Sequence, residues 1–236
     1  MTFINTVLPF LSALVSFVFA GFVFRRWAYK RKGTHLLFWG TGMIFYGIGG
    51  FCEGYYGAFG WNALVFRLWY LFGAILVAAW LGQGTVFLLA KEKWARTTMI
   101  ILVLGSLWGV YKIFSAELDP SLLTSGELSG HAIITSGVRT LTPLFNLYGV
   151  VTLIGGAMYS AWIFFRKRVL LHRVIGNVLI ATGAMAPAFG GAFSRFGIPS
   201  ALYIGELIGA VLIFIGFLRA TTPMAEKQTI VAPQPA

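Results

Sequence analysis

The chain has 236 residues, 58% of them hydrophobic and 11% charged, with a mean hydropathy of +0.82. A soluble domain carries roughly 25% charged residues, so this composition excludes a protein that keeps itself in water. The net charge of +11 sits in short loops between apolar runs, where it reads as a topology signal and gives no reason to expect a nucleic-acid partner. A single cysteine, Cys52, excludes an intrachain disulfide and a cysteine-rich metal site.

The apolar runs are continuous and repeatedly exceed about 18 residues, which predicts membrane-spanning helices and not the alternating pattern of a barrel. Residues 1–24 lack the basic start and small-residue cleavage site of a signal peptide, so they read as a first span. The basic loop RRWAYKRKGTH (25–35) follows, then span two over about 36–57, the bend AFGWN, and span three over about 63–89. The loop KEKWAR (91–96) leads to span four, about 97–114. Residues 115–139 form the one sizeable non-membrane stretch and hold Glu117, Asp119 and Glu127. Span five, about 141–165, the loop RKRVLLHR, span six, about 174–193, the bend SRFGIPS and span seven, about 201–218, complete the bundle. The polar tail 219–236, with three prolines, reads as disordered.

Fourteen of the eighteen Lys and Arg residues fall on the side of the 25–35, 91–96 and 166–173 loops and the tail. Cytoplasmic loops attract Lys and Arg, so the N-terminus is expected outside and the C-terminus inside. The expected localisation is the cell membrane, the cytoplasmic membrane in a prokaryote, with the lipid bilayer as the first partner.

An internal repeat is visible at a constant offset of 141. Phe24-Arg25-Arg26 recurs as Phe165-Arg166-Lys167, Thr41-Gly42 as Thr182-Gly183, and Gly49-Gly50 as Gly190-Gly191. Spans one to three (1–89) thus match spans five to seven (141–218), with span four (97–114) as linker. The fold expected is an all-α integral membrane protein, a single seven-transmembrane-helix bundle over 1–218 with a 3+1+3 parallel repeat of the kind found in transporters. In span count and symmetry it is similar to SWEET-type sugar transporters, and loosely to microbial rhodopsins. The spans contain no Pro-Gln pair and span seven contains no lysine, so neither family is assigned.

Ionisable residues inside spans are costly and mark candidate sites. Four stand near the outer ends of spans: Glu53, Arg67, Arg195 and Glu206. One-turn steps from each pass small residues, such as Gly49 from Glu53 and Ala74, Ala78 and Gly82 from Arg67. Small residues mark helix-contact faces, so all four are expected to look into the bundle, toward one another. Tyr46, Trp69, Tyr70 and Tyr203 would supply aromatic walls, and Gln83, Asn146 and Asn177 are the polar groups that would continue a path inward.

This set reads either as an outward-facing cavity for a small polar or zwitterionic ligand, or as two ion pairs that lock helices. The first favours a small-solute transporter or permease. The alternatives are a non-transporting ligand-binding or sensory membrane module, and an accessory subunit that meets a membrane-protein partner through its glycine-rich helix faces. Pro187 in span six is a candidate kink. His35 and His172 read as interfacial residues. No nucleotide loop, metal-ligand spacing or nucleophile with a base stands out, so neither a catalytic activity nor a cofactor is expected.

Overall fold

The structure, a computed structural model, describes residues 3–123, 127–168, 170–198 and 200–221. The expected disordered tail lies outside these beyond residue 221, as does the side chain of Arg195. Seven long helices carry the chain: α1 (Phe3–Lys30), α2 (Thr34–Phe59), α3 (Ala63–Leu89), α4 (Glu92–Phe114), α5 (Leu141–Arg166), α6 (Leu171–Arg195) and α7 (Ser200–Thr221). No strand is present among the described residues. Two helices change pitch midway, α3 over Trp69–Leu76 and α5 over Val150–Ile154, where each is wound as a π-helix.

Six of the helices are long and apolar enough to cross a membrane, and α2 is the exception. Its length of 26 residues corresponds to roughly 39 Å, which is ample. Its composition is what sets it apart, with seven glycines together with His35 and Glu53. Those glycines are used for packing inside the chain. A Cβ on Gly49 would lie 2.9 Å from the Gly73 Cα of α3, and one on Gly50 2.9 Å from the Pro9 carbonyl oxygen of α1. Helices α6 and α7 meet in the same way, since a Cβ on Gly183 would lie 2.9 Å from the Gly209 carbonyl oxygen. Without water to drive association, such close backbone contact is a main source of helix–helix attraction in lipid.

Helices α1, α2, α3, α5, α6 and α7 form a closed ring in that order, each packed on its two neighbours. Helix α4 lies outside the ring against α3. It leaves Ile100, Ile101, Leu104, Leu107, Trp108 and Tyr111 exposed, as a helix facing lipid tails would.

The two ends of the bundle differ. One carries the basic loops; the other carries the turns 60–62 and 196–198 and the long segment after α4. Both turns use a glycine in the left-handed region, Gly60 at φ 81° and Gly197 at φ 91°, where a side chain would be strained. Asn62 then caps α3, its side-chain oxygen accepting from the Leu64 and Val65 amides at 2.9 and 3.1 Å.

The segment between α4 and α5 is folded, which the sequence did not announce. A single antiparallel bridge joins Leu118 and Ile133, and short 3-10 turns span Pro120–Leu122 and Gly130–Ala132. Ala116, Leu128, Ala132, Ile133 and Val138 are buried against Phe66, Tyr70, Leu71 and Ile75 of α3 and Ile113 of α4. We call this segment the cap, and its side of the bundle the cap face.

Candidate functional site

The charged residues singled out in the sequence part company in the structure. Trp69 and Arg67 are two residues apart on α3, about 200° around the helix. Trp69 donates from its indole Nε1 to Glu53 Oε1 at 2.8 Å, so it takes the face toward α2. Arg67 therefore points the other way. Its guanidinium donates to the Ile113 carbonyl and, at 2.9 Å, to the Ala116 carbonyl. These belong to the end of α4 and the first residues of the cap, where a helix has carbonyls without intrahelical donors. Arg67 is thus a C-terminal cap supplied by a neighbouring helix. The expectation that it faces Glu53 and Glu206 is corrected.

The small residues one-turn steps beyond Arg67 do make a helix contact, but with α5. A Cβ on Gly149 would lie 2.6 Å from the Ala78 Cβ, and Asn146 Nδ2 donates to the Ala74 carbonyl at 3.2 Å. Stepping by α-helical turns failed here because Trp69–Leu76 is π-helical, and a wider turn rotates everything downstream relative to what precedes it.

What does assemble on the cap face is a group of acids. Glu53 of α2 and Glu206 of α7 stand with their carboxyl groups within hydrogen-bonding reach of each other. Glu127 of the cap comes close to both. Ser194 of α6 donates its hydroxyl to Glu127 Oε2 at 2.8 Å. Tyr46 reaches across from α2 and donates to the Glu206 backbone carbonyl at 2.8 Å. Tyr203, one turn before Glu206, is 3% exposed and stands among all three acids. Burial raises the Glu127 carboxyl above the usual carboxylate range, and the Ser194 hydrogen bond offsets part of this.

Two features mark this group. Glu53 Oε2 and Glu206 Oε2 are buried with no donor other than a proton shared between the two carboxyl groups, and Glu127 Oε1 is buried without a hydrogen-bond partner. Among the described residues no cation pairs with them. The one ion pair among the described residues joins Arg96 and Glu92, one turn apart on the exposed start of α4. Buried carboxylates are ordinarily paired or fully hydrogen-bonded. The expected pair of locking salt bridges is absent among the described residues, and Arg195, whose side chain lies outside them, is placed only as the last residue of α6.

The remaining candidates do structural work at other depths. Tyr70 accepts from the Thr142 hydroxyl at 2.9 Å and packs under the cap beside Gly130. Gln83 is fully buried and fully engaged, donating to the Ala95 carbonyl at 2.9 Å and accepting from the Tyr148 hydroxyl at 2.5 Å. Below the acids the axis of the ring is apolar. Phe19, Trp39, Leu81, Leu153, Ile180, Ile213 and Phe217 line a void of about 10 Å³, at least one residue from each ring helix. That is the lower limit for a single water molecule.

Glu127 and Ser194 are the members that sequence reading missed. Glu127 had no distinguishing context among three loop acids. The one available signal for Ser194 was that the repeat sets it against Glu53, at an offset of 141. Among the described residues no three His, Cys, Asp or Glu side chains converge closely enough to hold a metal ion. Comparison of the chain with known protein families, characterised proteins and solved structures finds no match.

Proposed function

We propose that this chain is a small-solute permease of the cell membrane with seven spans, built from two three-helix repeats, with its solute site at the acid cluster. On this reading α2 is the seventh span, packed between α1 and α3, and the cap face is extracytoplasmic because the opposite face carries the basic loops. No catalytic step is part of the proposal.

The observation that carries it is the meeting of Glu53 and Glu206. One belongs to the second helix of the first repeat and the other to the third helix of the second. Sites in repeat-built transporters lie where the two repeats face each other. Glu127 Oε1, buried beside them without a partner, is an acceptor left for a ligand to answer. The ring order supports the repeat as well, since α1, α2, α3 and α5, α6, α7 follow one another around it. The described conformation is then one in which the apolar side chains on the axis close the path inward.

Those same apolar residues favour a second reading, a ligand-binding or sensory membrane module that carries nothing across. The test is a two-part measurement on the full chain: thermal stabilisation by a metabolite panel, then flux of any stabilising compound into vesicles containing the protein. Binding with flux above that of empty vesicles supports the permease. Binding without flux selects the sensory module. A panel with no stabilising compound, together with unchanged leak, defeats both.

A further inference from the structure

Close backbone approach divides the ring into two groups of helices. A Cβ on Gly176 of α6 would lie 2.6 Å from the Ala220 amide nitrogen of α7, and one on Gly190 2.5 Å from the Ala201 carbonyl oxygen. A Cβ on Gly216 of α7 would lie 2.6 Å from the Gly176 carbonyl oxygen. With Gly183 and Gly209, these contacts join α6 to α7 backbone to backbone over most of their length. The other ring helices are joined in the same way. Gly49 meets Gly73, Gly50 meets the Pro9 carbonyl and Gly149 meets Ala78, which ties α1, α2, α3 and α5 into one series. Such contacts leave no room for side chains to rearrange between the helices, so each group is held in one relative position.

The two boundaries between the groups, α5–α6 and α7–α1, are packed differently. Among the described residues no glycine has its nearest neighbours across either one. Instead Phe19 of α1 stacks on Phe214 of α7 with ring centroids 4.8 Å apart, and Phe22 tilts against the same ring. The polar links are single side-chain bonds. Arg26 Nη2 donates to the Thr221 carbonyl at 2.9 Å at the basic face, and Ser200 Oγ donates to Asn5 Oδ1 at 2.8 Å at the cap face. The bonds from Tyr46 to the Glu206 carbonyl and from Ser194 to Glu127 also cross from one group to the other. The small axial void lies on this division, with Ile180 and Ile213 on one side and Phe19, Leu81 and Leu153 on the other. Along the described chain a single connection, between α5 and α6, ties the pair to the rest. Side-chain layers and one-bond links permit the small slides and rotations by which packed helices shear.

We infer that α6 and α7 move as one rigid body against α1–α5 and the cap, with Arg26–Thr221 and Asn5–Ser200 as latches at the two faces. The division runs inside the second repeat, so the moving unit is a helix pair and not a repeat. The motion follows from the packing; its use, opening the two faces in turn, rests on the permease reading above.

The test measures distances by pulsed electron spin resonance on the full chain in lipid nanodiscs, with Cys52→Ala removing the native thiol. Spin labels are attached in pairs at exposed positions of the basic face. Lys30→Cys with Lys93→Cys lies within the larger group, and Leu171→Cys with Arg219→Cys within the helix pair. Lys93→Cys with Arg219→Cys spans the division. The first two should each give one narrow distance. The third should give two populations, and Arg26→Met should shift their ratio while leaving the other two distances unchanged. Asn5→Ala, which cuts the latch at the cap face, replaces Arg26→Met should that variant fold poorly. One narrow Lys93–Arg219 distance, in the wild type and in the latch variants, overturns the inference. So does a Leu171–Arg219 distance that spreads along with it, because the pair would then not be rigid. Solute flux with a fixed Lys93–Arg219 distance leaves the permease standing and removes the moving pair. Two populations without flux keep the moving pair and count against the permease.

Discussion

Two of the buried polar clusters among the described residues are built on opposite plans. Toward the basic face, Gln83 has both ends of its amide occupied, by the Ala95 carbonyl and the Tyr148 hydroxyl. At the cap face, Glu53 Oε2 and Glu206 Oε2 have only each other, and Glu127 leaves an oxygen without a partner. Both clusters are costly to desolvate. In the first the cost is offset within the protein, so removing a member breaks structure. In the second it is offset only in part, by Trp69 on Glu53 and Ser194 on Glu127, so neutralising a member should cost the fold little. Arg67 belongs with the first plan despite its charge, because its donors are spent on the carbonyls that end α4.

The contrast can be broken most sharply at Arg67. Arg67→Met strips a charged donor from two carbonyls, and each such bond is worth about 1.5–3 kcal/mol. A loss of about 3 kcal/mol is expected, read as a lower melting temperature together with faster proteolysis of the cap. A melting temperature close to wild type would mean that Arg67 is no cap. Gln83→Leu comes next, at about 1–2 kcal/mol, because the Ala95 carbonyl still accepts from Thr98 Oγ1 at 3.1 Å. Solute binding at the cap face should survive that substitution.

A smaller effect is expected at Glu127, through pH. Its carboxyl is raised in the folded protein by burial, so the folded state holds its proton more tightly than the unfolded chain does. The stability this contributes is fully present below the ordinary carboxylate pKa of about 4.3 and is lost as pH rises through the raised value. Melting temperature against pH across that window should therefore slope downward, and less steeply in Glu127→Gln. An identical slope in the variant would remove Glu127 from the cluster. The smallest stability effect belongs to Glu53→Gln, which keeps an acceptor for the Trp69 indole and removes an unanswered acid. Its melting temperature should not fall. A large drop would move Glu53 to the first plan and leave the cap face without a candidate site.

Helix positions were legible in the sequence because a hydrocarbon environment forces long apolar runs, and all seven long helices fall within a few residues of where those runs predict. The first span is the largest adjustment, since α1 runs on to Lys30 inside the basic loop, and α4 likewise begins early, at Glu92. The contact faces were partly legible too, because glycine lines allow close packing wherever they fall. The partners of those faces were not. Gly42, Gly49 and Gly50 share α2, but Gly49 serves α3 and Gly50 serves α1.

The sequence alone determined that this is a helical membrane protein, that Glu53 and Glu206 sit within its long helices, and that the polar loop of consequence follows the fourth. These follow from composition and from the cost of exposing a backbone or a charge to lipid. Only the tertiary structure decided which charges meet. Which way a side chain faces depends on cumulative rotation along its helix, and one π-helical stretch in α3 is enough to uncouple Arg67 from the face below it. The depth to which Glu127 reaches depends on how the cap folds onto α3, through Leu128, Ala132 and Ile133. Neither quantity is a property of a short window of sequence, so an expected ring of opposite charges became a cluster of acids with no cation among the described residues.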